Sequence, residues 1–103
     1  MYLVVRKYKY VGNKQELSSK IDKGFVPLIS KLKGFVDYYC MFADDSTLVS
    51  VSIFQDAKGA DESVRVARDF VIKNLSQYFP DKPEIFSGEA FTQGQGQDIR
   101  KAA

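Results

Sequence analysis

The order in which hydrophobic periodicity changes along this chain is the feature that most constrains its fold. Residues 1–11, MYLVVRKYKYV, are rich in Val and Tyr and predict a first strand. Residues 14–32 have a helical pattern, because apolar side chains return every three or four positions. These apolar positions are Leu17, Ile21, Phe25, Leu28 and Leu32. Asn13 is a candidate N-cap with Glu16 in the capping-box position, and Pro27 predicts one kinked helix or two short helices in line.

The second half of the chain has two strands before its helix. Residues 35–43, FVDYYCMFA, and 47–56, TLVSVSIFQD, predict strands that a short polar turn joins as a hairpin. Asp56 is the predicted cap of a second helix, whose apolar residues again recur at helical spacing. The sequence PDKP at 80–83 ends that helix, and residues 84–91 predict a fourth strand.

This order of elements predicts a known supersecondary arrangement. Strand, helix, strand, strand, helix and strand make the ferredoxin-like β-α-β-β-α-β unit, an α+β fold with a four-stranded antiparallel sheet and both helices on one side. A chain of 103 residues is one domain. We assign the domain to residues 1–92 and expect the polar, Gly-rich residues 93–103 to be a flexible tail or a short edge arm.

The predicted sheet has an apolar side that its own helices do not cover. Phe35, Tyr39 and Met41 fall on one side of the strand 35–43. The other side carries Val36, Tyr38, Cys40 and Phe42. Only one of these sides can face the helices, and an exposed apolar face of that size needs cover. The simplest cover is a second copy of the chain, sheet against sheet, in a two-fold homodimer.

The strand at 47–56 raises the question of what its second face contacts. We take the aliphatic row, Thr47, Val49, Val51 and Ile53, as the core face. The opposite row places Ser50 and Ser52 between Leu48 and Phe54. These serines either line a buried, mildly polar cavity, where their hydroxyls need partners, or only let a facing sheet approach closely.

Three stretches of the chain resemble one superfamily: PLISKLKGFVDYY, STLVSVSIFQDAKGADESVRVARDFV and PEIFSGEAF. They are similar to the dimeric α/β-barrel superfamily and, within it, to the domain named for antibiotic biosynthesis monooxygenases. The resemblance covers residues 2–91 and is sharpest at Gly34-Phe35, in the run SVSIF, and at Glu62-Ser63 with Ala67. It implies a homodimer whose two sheets form one barrel. It also implies a pocket for an aromatic or polyketide-like molecule, either between the sheet and the helices or inside the barrel. The activity it implies is at most that of a cofactor-independent monooxygenase.

The catalytic residues of that superfamily do not carry over to this chain. Its well-described oxygenases rely on Trp, Asn and Tyr in the cavity, and its haem degraders on Asn, Trp and His. This sequence has no Trp and no His. Its asparagines, Asn13 and Asn74, fall in a turn and late in a helix. The sequence therefore leaves open whether the protein is an enzyme.

Composition removes several function classes. The absence of histidine excludes His-based triads, the usual zinc sites and a histidine haem ligand, and we expect no metal and no cofactor. A net charge of +2 argues against nucleic acid and anionic membranes as partners, and no apolar run is long enough to span a bilayer. The single cysteine, Cys40, excludes an intrachain disulfide and fits a reducing compartment, so we expect a cytoplasmic protein.

Five polar residues on the predicted strands are the candidate pocket residues. They are Arg6, Tyr8, Tyr38, Ser50 and Ser52. A central first strand would cover Arg6, and a covered guanidinium needs an acceptor. That acceptor could be Asp37 or Glu89, in a salt bridge at the rim, or a carboxylate or phenolate of a ligand. The sequence thus predicts a homodimer that binds a small apolar or aromatic ligand, with a non-catalytic binding or stress-associated dimer as the alternative.

Overall fold

The computed structural model describes residues 1–96 and has the predicted α+β architecture. Four antiparallel strands form a sheet in the order β2-β3-β1-β4. These strands are β1 (Tyr2–Lys9), β2 (Phe35–Asp44), β3 (Thr47–Phe54) and β4 (Glu84–Glu89). The ferredoxin-like order of elements is confirmed. Most of the predicted C-terminal tail, residues 97–103, lies outside the described residues.

The first helical segment runs through its proline without a break. It consists of α1 (Lys14–Lys20), a first π turn (Ile21–Phe25) and α2 (Val26–Ser30). In the π turn the backbone N–H of Val26 bonds to the carbonyl of Ile21, five residues back. Pro27 then falls in the first turn of α2, where a missing N–H costs little. Of the two alternatives that the sequence allowed, the structure therefore has the single continuous segment, with one widened turn.

Side chains cap both helical segments where the sequence predicts caps. The Oδ1 atom of Asn13 accepts a hydrogen bond from the N–H of Glu16 at 2.9 Å. The Glu16 carboxylate does not complete a capping box, because it accepts a hydrogen bond from the hydroxyl group of Tyr78 instead. The second segment consists of α3 (Ala57–Phe70) and a second π turn (Val71–Leu75). Its cap is Asp56, whose Oδ1 accepts from the N–H of Gly59 at 3.0 Å.

The row of β3 that faces the helices is the serine row. The buried members of β3 are Leu48, Ser50, Ser52 and Phe54. The aliphatic row that begins at Thr47 is half-exposed on the other side of the sheet, so its prediction as the core face was wrong. The reason lies on β1, where Arg6 is the residue opposite Ser50. The long guanidinium side chain fills the space that larger β3 residues would need.

A β-bulge near the start of β2 moves Phe35 to the helix side. The pairing of β2 with β3 shifts register between Phe35 and Asp37, and such a bulge places one extra residue in its strand. The ring of Phe35 packs edge-to-face against Phe54, with centroids 5.8 Å apart. The prediction that Phe35 shares a face with Tyr39 and Met41 was therefore wrong, whereas those two residues do lie together.

The sheet face opposite the helices carries apolar side chains from all four strands. This open face consists of Leu3, Val5, Tyr39, Met41, Val49, Val51, Ile53 and Phe86. Tyr39, Met41 and Phe86 are 62%, 58% and 59% exposed. Lys7 and Glu84 lie opposite each other at one edge of this apolar patch.

Among the described residues, no helix combines the length and hydrophobicity that a membrane crossing requires.

Candidate functional site

Arg6 lies in the middle of the sheet and is almost completely buried. Only 2% of the residue is exposed, because β1 is flanked by β3 and β4 and the strand alternation turns Arg6 towards the helices. Its Nη1 donates to Oγ of Ser52 on β3 at 3.1 Å. Its Nη2 donates to Oγ of Ser63 on α3 at 3.0 Å. The guanidinium therefore bridges the sheet and the helix layer.

Within the described part of the chain, Arg6 has no acidic partner. Asp37 is exposed and its strand position turns it to the open face, and Glu89 is exposed at the end of β4. The predicted salt bridge of Arg6 with either carboxylate was wrong. The Nε atom of Arg6 has no hydrogen-bond partner among these residues. Desolvation by burial lowers the pKa of Arg6, as expected for a cation that lacks a counter-charge.

A small cavity lies beside the guanidinium. Its volume is about 20 Å³, enough for one water molecule. Four of the five candidate residues, Arg6, Tyr8, Tyr38 and Ser50, are in its wall. The fifth, Ser52, is fully buried and holds the guanidinium. The structure thus brings all five candidates together, and the serine hydroxyls face the core and not a second sheet.

Both π turns of the chain contribute to the wall of this cavity. Ile21 and Phe25 come from the first π turn, and Val71 and Leu75 come from the second. The two helical segments meet closely there, because a Cβ atom on Gly24 would lie 2.8 Å from the ring of Phe70. Single π turns occur often at functional sites, since they re-aim side chains without ending the helix. Two of them around one cavity mark this region as a candidate binding site.

The two tyrosines of the cavity are neutral at physiological pH. Burial raises the pKa of Tyr8 and of Tyr38 above the ordinary value of 10.0, although the positive charge of Arg6 opposes the shift. Cys40 lies on edge strand β2, with its side chain on the same face as Tyr38, and burial raises the pKa of its thiol. Among the residues that line the cavity, Arg6 alone carries a charge.

A larger cleft runs between the second helical segment and β4 and has Arg6 and Tyr8 in its wall. Its volume is about 520 Å³, within the range of small-molecule sites. Most of the remaining wall is apolar and includes Val64, Val71, Ile72, Phe79, Pro83 and Ile85. The ring of Phe79 stacks on Tyr8 with centroids 4.4 Å apart. Besides Arg6, the charged residues of this cleft are Arg68, Asp81 and Lys82.

A second cleft, of about 620 Å³, lies between the first helical segment and β2. Tyr38, Cys40 and the acidic residue Asp22 are in its wall. No basic residue of the described chain lines it. Tyr38 also belongs to the wall of the small cavity, so the two clefts flank the same buried site from opposite edges of the sheet.

Ser63 is the polar residue at Arg6 that the sequence prediction missed, and the apolar wall residues such as Phe79 were also not among its candidates. Ser63 is fully buried on α3, accepts from Arg6 and donates to the carbonyl of Ala60 at 2.6 Å. Its signal in the sequence is position: Ser63 falls at helical spacing between the buried Ala60 and Ala67. A small polar residue inside an otherwise apolar stripe indicates a hydrogen-bond acceptor for a side chain across the core. No group of three potential metal ligands occurs among the described residues.

No protein-family model matches the sequence, and none of the curated proteins matches it. Solved structures share its fold. The NE2512 protein of unknown function from Nitrosomonas europaea is 13% identical over 92% of this chain and 93% of that chain, with a TM-score of 0.73. SnoaB, a cofactor-independent oxygenase from Streptomyces nogalater, is 13% identical over 89% and 94%, with a TM-score of 0.71.

A third structure is a monooxygenase from the gene ActVA-Orf6 of Streptomyces coelicolor, in complex with the ligand nanaomycin D. It is 12% identical over 93% of this chain and 92% of that chain, with a TM-score of 0.72. At these identities the likeness is one of fold. The chain therefore has the fold that these oxygenases share with a protein of unknown function, as the sequence resemblance predicts.

Proposed function

We propose that this chain is a small-ligand-binding protein of the dimeric α/β-barrel type, with its binding site at Arg6. The observation that carries the proposal is a buried guanidinium with an unpaired Nε atom beside a cavity and a cleft. A buried charge without a counter-charge costs stability, and functional sites are the usual place where proteins accept such a cost. The aromatic side chains of Tyr8 and Phe79 favour an aromatic ligand in the cleft.

The proposed assembly is a homodimer formed through the open face. Eight apolar side chains lie on that face, and three of them are more than half exposed in the single chain. Monomeric proteins rarely leave an apolar sheet face of this extent in water. A two-fold axis through the open face would place Val51 of one chain near the same strand of the other. The two sheets would then form the barrel that the sequence resemblance implies.

Oxygenation of the bound ligand is a second candidate, supported by the shared fold with SnoaB and the ActVA-Orf6 monooxygenase. The site contains a cation that could stabilise a ligand oxyanion. The small cavity beside Arg6 offers no side chain suited to removing a proton at neutral pH, because none of its wall residues is a carboxylate and the raised pKa values of Tyr8 and Tyr38 keep both phenols protonated. The geometry of the described residues therefore favours binding over catalysis.

Native mass spectrometry of the freshly purified protein tests this proposal. The expected species is a dimer, with twice the 11.6 kDa mass of the chain, carrying a reproducible small-molecule adduct. A monomer would contradict assembly through the open face. A dimer that carries no adduct and binds no aromatic compound would favour the alternative, a non-catalytic dimer with a barrel filled by side chains.

A further inference from the structure

We propose that the ligand is an organic anion with one carboxylate group and an apolar, aromatic body, held with its carboxylate at Arg6 and its body in the cleft between α3 and β4. This inference rests on the proposed function and gives the chemical class of the ligand. Four features of the site support it: the unused hydrogen-bonding capacity of Arg6, the absence of a counter-charge, the different charges of the two clefts, and the apolar wall of the cleft beside β4.

The guanidinium of Arg6 has donors left over. A guanidinium carries five N–H groups in a planar fork. Ser52 and Ser63 accept one hydrogen bond each from the two terminal nitrogens, and Nε has no partner within the described residues. The pair formed by Nε–H and a terminal N–H is one of the edges that bind a carboxylate with two parallel bonds. The edge that contains Nε is thus the one prepared for an external acceptor.

The groups around Arg6 provide polarity but no negative charge. Both serines are neutral acceptors, and Ser63 is fixed in orientation because it also donates to Ala60. Tyr8 and Tyr38 stay neutral, since burial opposes formation of the phenolate. The described chain therefore leaves one positive charge uncompensated in the site. A ligand with a single negative charge compensates it, whereas a neutral ligand does not.

The two clefts differ in the charges that a ligand would meet. The cleft beside β2 contains the acidic residue Asp22 and, among the described residues, no basic one. The cleft beside β4 contains, in addition to Arg6, the basic residues Arg68 and Lys82 and one acidic residue, Asp81. Its net positive charge attracts an anion. The same cleft has the buried Arg6 in its wall. Arg6 and the other two basic residues of the cleft therefore all favour an anionic ligand.

The apolar wall of this cleft determines the body of the ligand. Ile72 is 64% exposed and Ile85 is 43% exposed, and both belong to this wall together with Val71 and Phe79. Covering such side chains favours binding through the hydrophobic effect. An inorganic anion would leave them in water. A planar aromatic carboxylate uses both the cation and the apolar wall.

The test compares two probes that differ in charge, 2-naphthoate and 2-naphthamide, by isothermal titration calorimetry on the full chain. We expect the carboxylate to bind at least tenfold more tightly than the amide, a factor of about ten being the effect of one well-placed charged hydrogen bond. In Arg6→Met this preference should disappear. Arg65→Met is the matched control, because Arg65 pairs with Glu62 on the surface of α3 and does not line the cleft.

The NMR signal of the Arg6 Nε–H group provides a direct readout that needs no variant. It should shift on addition of 2-naphthoate and remain in place on addition of 2-naphthamide. Equal binding of both compounds would overturn the anion proposal while the proposed small-ligand function stands. No binding of 2-naphthoate at about 1 mM would also overturn it, and the adduct in native mass spectrometry would then decide the proposed function separately.

Discussion

The guanidinium of Arg6 on β1 donates to the hydroxyl of Ser63 on α3 at 3.0 Å, so a polar bond crosses the core between the sheet and the helices. Both residues are almost completely buried. A polar link of this kind fixes how α3 lies on the sheet, and it also holds a cation that is 2% exposed. Stability and ligand binding therefore make opposite demands on Arg6.

Replacing Arg6 with an apolar side chain should not destabilise the protein. We expect Arg6→Met to raise the free energy of unfolding by about 1–2 kcal/mol, because removal of an unpaired buried charge outweighs the loss of two hydrogen bonds to neutral acceptors. Urea unfolding followed by circular dichroism measures the change. A loss of more than about 2 kcal/mol would show that the guanidinium is mainly a structural link.

Removal of a hydrogen-bond acceptor of Arg6 should lower the free energy of unfolding. Ser52→Ala deprives Nη1 of Arg6 of its partner, and we expect it to lower the free energy of unfolding by about 1.5–3 kcal/mol, the usual range for a hydrogen bond to a charged group. In the Arg6→Met background the same change should be neutral or slightly stabilising, because the buried Ser52 hydroxyl has already lost its partner. The double-mutant cycle isolates the interaction between the two residues. Equal effects in both backgrounds would contradict the hydrogen bond as the source.

The architecture of this chain could be predicted from sequence because it depends on periodicity. The change between strand and helical spacing, the caps at Asn13 and Asp56, and the turn between β2 and β3 are local signals. They predicted the order of elements and most of their bounds. Local signals did not predict which face of β3 is buried. The burial of Ser50 and Ser52 depends on Arg6, which lies on the neighbouring strand β1.

The candidate site was predicted in its members but not in its connections. Strand parity placed Arg6 and Tyr8 together, whereas the acceptors of Arg6 depend on which helix residue lies above it. That residue, Ser63, comes from α3, 57 positions away along the chain. The bulge that turned Phe35 inward likewise has no marker in the pattern of FVDYYC. Pairings between distant elements are decided by packing, which a single sequence does not display.

A close approach within the core gives a third prediction. A Cβ atom on Gly59 would lie 2.8 Å from the backbone carbonyl oxygen of Lys33 and 2.8 Å from the ring of Phe54. Gly59→Ala should therefore lower the free energy of unfolding by about 1–3 kcal/mol, in spite of the better helix propensity of Ala. Thermal unfolding measures the loss. Gly94→Ala is the control, because Gly94 lies outside the helices and strands and its added Cβ would have no atom within 4 Å apart from its chain neighbours. It should change stability little.

The proposed dimer predicts that one charge on the open face separates the chains. Val51 lies on β3 between Val5 and Tyr39 in the middle of that face. We expect Val51→Asp to give monomers at concentrations where the unaltered protein is dimeric, because a carboxylate would be buried without a partner. Sedimentation equilibrium measures the mass. Val11→Asp is the control, since Val11 is 54% exposed and lies outside the sheet; dissociation of both variants would contradict the proposed interface.

Burial of Tyr38 predicts a loss of stability in alkaline solution. The pKa of Tyr38 is raised above its ordinary value of 10.0 mainly by burial, and the neighbouring Cys40 raises it further. As the pH rises above that value, the unfolded chain releases the phenol proton while the folded chain keeps it. The free energy of unfolding therefore falls as the pH rises above 10.0, the ordinary pKa of the phenol. Well below that pH the Tyr38 phenol is protonated in both states and causes no pH dependence.

Tyr38→Phe removes this titration and should reduce the alkaline loss. Urea unfolding at about pH 8 and about pH 10.5 compares the two proteins on either side of the onset. At the lower pH both proteins lack a charge at position 38, so the comparison reports only the packing of the hydroxyl group. At the higher pH the variant should have lost less stability than the unaltered protein. Identical losses in the two proteins would mean that Tyr38 does not keep its proton in the folded state, and that the site beside Arg6 is more open to water than the burial of Tyr38 indicates.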